Sequence, residues 1–284
     1  MITVDVNPVA FTIGSIEVRW YGVMVAIATA VVILWMIRQI EMRKSSLPAR
    51  PDLAIALVAV ASGAIGAKLV HVLEQLDYYI QNPADIFSGG GFGIWGAVIG
   101  STLGIWIYLR LSRKGENLHF GFFTDLVAPG IMLAQAIGRV GCTLNGCCHG
   151  KLAPDWFPWT ISYSSSYPPP DGYAVESLGF LDRALYPVQP AEIVFALIAF
   201  GVLLKLRTRL RPVEGALFLV YLMMYSAWRI GLGFFRTAEV YFVSGLLSQA
   251  QIISLVVLVV SIVLLVHLRR RFKCARFVAE DDNA

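Results

Sequence analysis

The stretch VRWYGVMVAIATAVVILWMIRQIEMRK, residues 18–44, decides the architecture. From Gly22 to Ile37 it carries no charge, and Arg38, Arg43 and Lys44 follow at once. A membrane-crossing helix needs about 20 mostly apolar residues. A basic cluster just beyond such a run marks its cytoplasmic end. The preceding MITVDVNPVAFTIGS has Asp5 and no basic run, so it is not expected to be a cleaved leader, and the first apolar run is expected to be a genuine span.

Six further runs match the first, and together they predict an all-α polytopic membrane protein. The expected spans are about 18–37, 52–73, 90–109, 119–138, 186–204, 214–235 and 246–267, with a long outer loop at about 139–185. The whole chain, 1–284, is read as one seven-span membrane domain. Composition agrees: of 284 residues, 57% are hydrophobic and 15% charged, where a soluble domain carries about 25% charged residues. Placing the N-terminus outside puts sixteen of the 23 Lys and Arg on inner segments. These are Arg38, Arg43, Lys44 and Arg50; Arg110, Arg113 and Lys114; Lys205, Arg207, Arg209 and Arg211; and Arg269, Arg270, Arg271, Lys273 and Arg276. That asymmetry predicts N-out, C-in. It also directs the net charge of +4 toward anionic membrane lipids, and no nucleic-acid partner is expected. The outer loop contains FPWTISYSSSYPPPDGY (157–173), whose proline, serine and aromatic residues predict an irregular extracytoplasmic arm or head.

Seven basic residues lie elsewhere: Arg19, Lys68, Arg139, Lys151, Arg183, Arg229 and Arg236. Five of them fall within spans or at their outer ends. Glu192 sits just inside the outer end of the fifth span. A charge at membrane depth costs about 2.5–3.5 kcal/mol, so such residues normally face a cavity and have a task. Snorkelling to the interface is the competing reading, and it suits Arg19 and Arg236 better than Arg139 and Arg229. Arginines converging at one depth suggest a bound phosphate, whose geometry the guanidinium fork matches.

The densest chemistry is GRVGCTLNGCCHG, residues 138–150. Its C-x4-C-C-H spacing allows a metal centre, a redox centre, or structural cysteines linked by a disulfide of Cys142 with Cys147 or Cys148. Structural zinc sites use four ligands, often as two separated pairs, and adjacent cysteines suit a single tetrahedral ion poorly. On spacing alone, no metal and no cofactor is expected.

These residues, taken with other blocks, resemble the bacterial prolipoprotein diacylglyceryl transferases over nearly the whole chain. Gly138, Arg139, Gly141, Asn145, Gly146 and Gly150 match the family signature G-R-x-G-N-x-x-N-G-E and the glycine after it. VRWYG supplies Arg19, Trp20, Tyr21 and Gly22. GAKLVHVL resembles the second-span motif, YPVQPAE supplies Tyr186, Pro187, Gln189 and Glu192, YSAWRIGLGFFR supplies Tyr225, Arg229 and Arg236, and Gln251 opens the last span. The resemblance implies a seven-helix body with a periplasmic head in the bacterial cell (inner) membrane. It implies transfer of the diacylglyceryl group of phosphatidylglycerol to a lipobox cysteine thiol in a prolipoprotein signal peptide, with release of glycerol phosphate. By match, Arg139 would bind the lipid head group together with Gly138, Asn145, Gly150 and Arg236. Arg229 would stabilise the phosphate or help deprotonate the thiol, with Tyr21 and Tyr225 orienting both.

Departures from the pattern accompany the matches. The family's third-span histidine is Trp95, the signature Asn and Glu are Cys142 and Cys147, and the acid expected four residues after Arg229 is Gly233. His149 becomes the candidate replacement base, with His71 and Glu192 behind it. The alternatives are a family paralogue that only binds a phospholipid head group, and thiol-redox chemistry through Cys142, Cys147 and Cys148. A channel or transporter would want charges spread across both leaflets.

Overall fold

The fold comes from a computed structural model, which describes residues 1–14, 16–42, 53–74, 76–81, 83, 94–111, 120–166, 181–210, 212–237, 241–243 and 247–281. The helices are α1 (Trp20–Glu41), α2 (Leu53–Glu74), the short α3 (Leu76–Gln81), α4 (Ile94–Leu111), α5 (Phe120–Asn145), α6 (Val188–Leu210), α7 (Ala216–Gly233) and α8 (Gln249–Asp281). Each expected span has a helix at its centre. Four of these helices are long and apolar enough to cross a membrane, namely Trp20–Gln39, Phe120–Asn145, Ala216–Gly233 and Gln249–Phe272. The protein is a helical membrane protein.

Among the described residues six short strands accompany the helices: β1 (Ile2–Val4), β2 (Val9–Ile13), β3 (Ile16–Arg19), β4 (Ile161–Tyr163), β5 (Tyr241–Val243) and β6 (Leu247–Ser248). β2 and β3 form an antiparallel hairpin turned at Gly14, whose φ of +62° suits glycine. Arg19 therefore ends a strand rather than opening the first helix, and it pairs with Glu17 at 3.6 Å. β1 runs parallel to β4, which ties the N-terminal segment to the loop after α5.

Two boundaries differ from expectation. α5 continues seven residues beyond 138, so Arg139 and Cys142 stand on a helix and not in a loop. The expected loop start followed the glycine-rich composition of 138–150, but the helical hydrogen-bond ladder outlasts the apolar run. α8 likewise extends past 267 into the basic tail. Much of the expected arm, residues 167–180, lies outside the described residues.

The chain divides into two compact units, Met1–Leu34 with Thr124–Ala284, and Trp35–Phe123. In the smaller unit, α2 and α4 pack antiparallel along Ser62, Gly66, Gly96, Gly100 and Gly104. A Cβ on Gly66 would collide with the Gly96 carbonyl and lie 2.9 Å from the Gly100 Cα. Ser101 Oγ donates across the seam to the Ala59 carbonyl at 2.9 Å. Backbones brought this close gain dispersion contacts that apolar lipid cannot otherwise drive, the reason small residues line membrane helix pairs. Gly66→Leu should prise the pair apart and cost about 1–3 kcal/mol or more, as overpacking does. Thermal unfolding in detergent checks this, and an unchanged midpoint would refute the seam. Lys68 and His71 also lie here, both against Tyr79: the ammonium 5.4 Å from the ring centroid, the imidazole edge-on at 5.9 Å.

In the larger unit, Met132 and Ala136 of α5, Ala196, Ala199 and Leu203 of α6, Leu217 of α7 and Leu265 of α8 form one core. Asp125 of α5 caps α7 from outside it, accepting from the backbone N–H groups of Gly215 and Phe218, each at 2.8 Å. It satisfies donors that the helix start leaves without intrahelical partners.

Candidate functional site

The site grows from the last turns of α5. Arg139 is 8% exposed and Glu192, on the first turns of α6, is 1% exposed. Arg139 Nε meets Glu192 Oε2 at 2.8 Å. A lone buried charge at this depth is prohibitive, so each makes the other tolerable. Glu192 also lies within electrostatic range of Arg229 and Arg236, while its direct ion pair is with Arg139. Tyr21 lies within range of Arg139 and the three thiols, and Tyr225 within range of Arg139. The structure thus brings together Arg139, Arg229, Arg236, Tyr21 and Tyr225. It adds Glu192 as the partner of Arg139, a role the sequence reading, which ranked it only as a distant base candidate, did not foresee.

On the two helices that carry this pair, several buried acceptors go unused. Glu192 Oε1, Asn145 Oδ1 and Gln189 Oε1 have no hydrogen-bond partner among the described residues. Buried acceptors normally find donors, so three unmet ones beside an arginine cluster suit a ligand that brings hydroxyl groups with its anion.

Two expected glycines behave differently. At Gly138 a Cβ would meet nothing within 4 Å, leaving open space beside Arg139. At Gly150 a Cβ would collide with the Tyr186 carbonyl and lie 2.8 Å from Tyr186 Cβ. Gly150 pairs with Arg236 in an isolated β-bridge, Lys151 N–H donates to the Phe235 carbonyl at 2.7 Å, and Tyr186 N–H donates to the Lys151 carbonyl at 3.0 Å. Gly150 is therefore a packing glycine that sets the backbone carrying Arg236.

His149 is buried in this same layer. Its Nδ1 lies 3.0 Å from the Gly150 carbonyl and 3.1 Å from Thr237 Oγ1, whose hydroxyl also reaches the His149 carbonyl at 2.9 Å. A carbonyl only accepts, so Nδ1 carries the proton and Nε2 holds the basic lone pair. Burial pushes the imidazole below its ordinary range, which keeps it neutral.

The three cysteines converge. Cys142, Cys147 and Cys148 are thiols, their sulfur atoms all within 4.8 Å of one another. The disulfide, one of the readings this spacing allows, does not join them here. Convergence of adjacent residues depends on the backbone: Gly146 has φ +71° and Cys148 has φ +61°. These left-handed turns redirect the chain so that 147 and 148 face the same way, which removes the objection that adjacent cysteines cannot share one centre. Arg139 Nη1 donates to Cys142 Sγ at 3.8 Å. Hydrogen bonds from the Cys142 and Cys147 thiols draw Cys148 toward the thiolate, with Arg236 and Arg139 behind them, and the same network holds Cys147 protonated. Gln189 fixes this loop, its Nε2 donating to the Cys147 carbonyl at 3.0 Å and to Tyr163 Oη at 2.8 Å.

Gly233, where an acid was expected, is filled by Gln251 of α8. A Cβ there would lie 2.6 Å from Gln251 Cδ. Gln251 Nε2 donates to the Ile230 carbonyl at 3.0 Å, and its Oε1 accepts from Ser248 N–H at 2.9 Å. Ser248 Oγ accepts from Gln251 N–H at 3.3 Å, completing a capping box at the start of α8. The S-x-x-Q spacing of Ser248 and Gln251 is the sequence signal that could have located this helix start. Gln251→Ala should cost about 1–2 kcal/mol by removing the cap and the bond to α7. A detergent melting curve unchanged from wild type would refute that coupling. Trp95 is the second residue of α4, and its side chain lies outside the described residues.

Comparison with known proteins places the chain in a family. Residues 8–267 match the family model described as prolipoprotein diacylglyceryl transferase. A phosphatidylglycerol--prolipoprotein diacylglyceryl transferase of Dehalococcoides mccartyi is 38% identical over 273 residues, 96% of this chain and 98% of the relative. Proteins of the same name from Symbiobacterium thermophilum and Lysinibacillus sphaericus are 32% identical, covering 94% of each chain, and 31% identical, covering 97% of each chain. The chain belongs to the prolipoprotein diacylglyceryl transferase family.

Proposed function

We propose that this protein transfers the diacylglyceryl group of phosphatidylglycerol to the lipobox cysteine thiol of prolipoprotein signal peptides, releasing glycerol phosphate. The observation that carries the reading is the buried Arg139–Glu192 pair, with Arg229 and Arg236 close by and three unmet acceptors around it. A phosphate ester with glycerol hydroxyl groups supplies the anion for the arginines and donors for Glu192, Asn145 and Gln189. The open face at Gly138 admits the head group.

Phosphate leaves as negative charge builds on it, so guanidinium groups fixed beforehand lower the barrier. Arg139 holds the phosphate, Arg229 and Arg236 share the developing charge, and Tyr21 and Tyr225 orient the head group. His149, neutral and basic at Nε2, takes the thiol proton. Asn145 binds a head-group hydroxyl, and Gly150 acts through Arg236.

Helix parity supports seven spans, and the Lys and Arg distribution favours the N-terminus outside. β1 joins the N-terminal segment to β4 after α5, with the span helices α1, α2, α4 and α5 between. Gly150 pairs with Arg236 across α6 and α7, two more. Each even number returns the chain to one side. At the opposite ends, Asp125 meets the start of α7. Exposed Trp156 and Trp159 in the outer loop suit a membrane interface. We place the protein as a multi-pass component of the bacterial cell (inner) membrane, in contact with anionic membrane lipids through its basic inner loops.

The test is purified protein with phosphatidylglycerol and a lipobox peptide, reading glycerol phosphate release. Release that requires the peptide thiol is expected. No release from the wild-type protein, or release undiminished with a serine peptide, would overturn the reading.

A further inference from the structure

The three convergent thiols are not used by the phosphate chemistry above. They are a cluster of soft ligands at the end of α5, joined to the site by the Arg139–Cys142 contact. Zinc bound at about 2.3 Å from each sulfur in a tetrahedron places sulfurs about 3.8 Å apart. Sulfurs already within 4.8 Å of one another reach that spacing by sub-ångström shifts. The cluster has three members among the described residues, one short of a tetrahedron. Neither neighbouring candidate belongs to the cluster: Glu192 is paired with Arg139, and His149, next in the chain, is not among the ligand atoms gathered within 4.8 Å. Three protein ligands and one open position is the pattern of catalytic zinc, whereas structural zinc is closed by four.

We propose that Cys142, Cys147 and Cys148 bind zinc(II) as a three-thiolate site whose fourth position receives the thiol of the substrate cysteine. This rests on the transferase reading, which supplies a substrate bearing a thiol. A tetrahedron of four sulfur ligands suits zinc, and copper(I), which thiolates also bind, is told apart from it by the test below. Three thiolates on one zinc leave a single net negative charge, and Arg139, donating to Cys142 Sγ, is placed to offset it. Coordination strips the proton from a thiol outright, so the incoming cysteine is held as thiolate beside the arginine-bound phosphate. The carbon–sulfur bond forms as the bond from glyceryl carbon to phosphate oxygen breaks. The electron pair leaves with the phosphate oxygen, and the thiol proton ends on the released glycerol phosphate. No electron is gained or lost overall. Where zinc supplies the thiolate, the share of the work left to His149 shrinks.

The experiment uses the full chain in detergent, loaded with cobalt(II) in place of zinc. Thiolate-to-cobalt charge-transfer absorption is expected, with visible bands that shift on adding the lipobox peptide but not its serine counterpart. Cys147→Ser and Cys148→Ser should each weaken zinc binding by more than about 100-fold, beyond the 10–100-fold cost of losing an outer-shell partner. Chelated wild-type protein should lose transfer by about 100-fold or more, and zinc should restore it. Metal-free protein that transfers at the full rate overturns the proposal while leaving the transferase reading intact. Cobalt bands indifferent to the peptide thiol, or binding of copper(I) alone, also overturn it. Bands that respond to the thiol in a protein showing no transfer would support the metal site and sink the transferase reading instead.

Discussion

Replacing Arg139 by Ala should abolish transfer, with a fall of about 10³-fold or more in glycerol phosphate release. Two effects add. The phosphate loses a guanidinium aimed at developing charge, and losing one such donor alone costs about 10²–10³ in rate. Glu192 meanwhile keeps a buried carboxylate whose 2.8 Å partner is gone. Breaking one side of a buried ion pair costs about 3–5 kcal/mol of stability. The two effects separate in the double variant Arg139→Met with Glu192→Gln. It removes both charges, so it should recover most of the thermal stability and none of the transfer. Release by Arg139→Ala within tenfold of wild type would mean that the phosphate is held elsewhere. Recovery of activity in the double variant would mean that Arg139 matters only for folding.

The second large effect comes from a single methyl group. Gly150→Ala should lower transfer by about 100-fold while leaving helical circular dichroism near wild type. The added Cβ would strike the Tyr186 carbonyl and crowd Val188 Cγ2, 2.9 Å away. The backbone there is held on both sides, by Phe235 through Lys151 N–H and by Tyr186 through the Lys151 carbonyl. It cannot retreat without moving Arg236, its β-bridge partner, or His149 next to it. Misplacing a reacting group by about 1 Å can cost 10²-fold in rate. Lipid binding through Arg139 should persist, so binding of phosphatidylglycerol without turnover is the signature. Normal turnover in this variant would show that the layer yields and that Gly150 does not set Arg236.

Much of this was legible along the chain. Apolar runs of span length with basic residues between them located the helices, because a backbone in lipid must satisfy its hydrogen bonds internally and only a helix does so within one segment. Charges at membrane depth picked out Arg139 and Arg229, because burying them costs too much without a task, whereas Arg236 entered through the family resemblance. The loop boundary at 138 was misjudged for a local reason. Glycines and cysteines weaken the apolar signal before they end a helix, and α5 runs on to Asn145.

What the sequence by itself determined was the inventory: the helices, and the arginines set within them or at their ends. Only the tertiary structure decided the partners. Glu192 meets Arg139 from another helix, and Gln251 fills the place left by Gly233 from a third. Neither pairing has a periodicity to reveal it, because contacts between distant segments depend on how helices pack. The thiols needed one thing more. Cys147 and Cys148 share a centre with Cys142 only because Gly146 and Cys148 adopt left-handed backbone angles. For Cys148 that conformation costs energy that only surrounding packing can hold in place, so spacing alone argued against the cluster that the fold assembles.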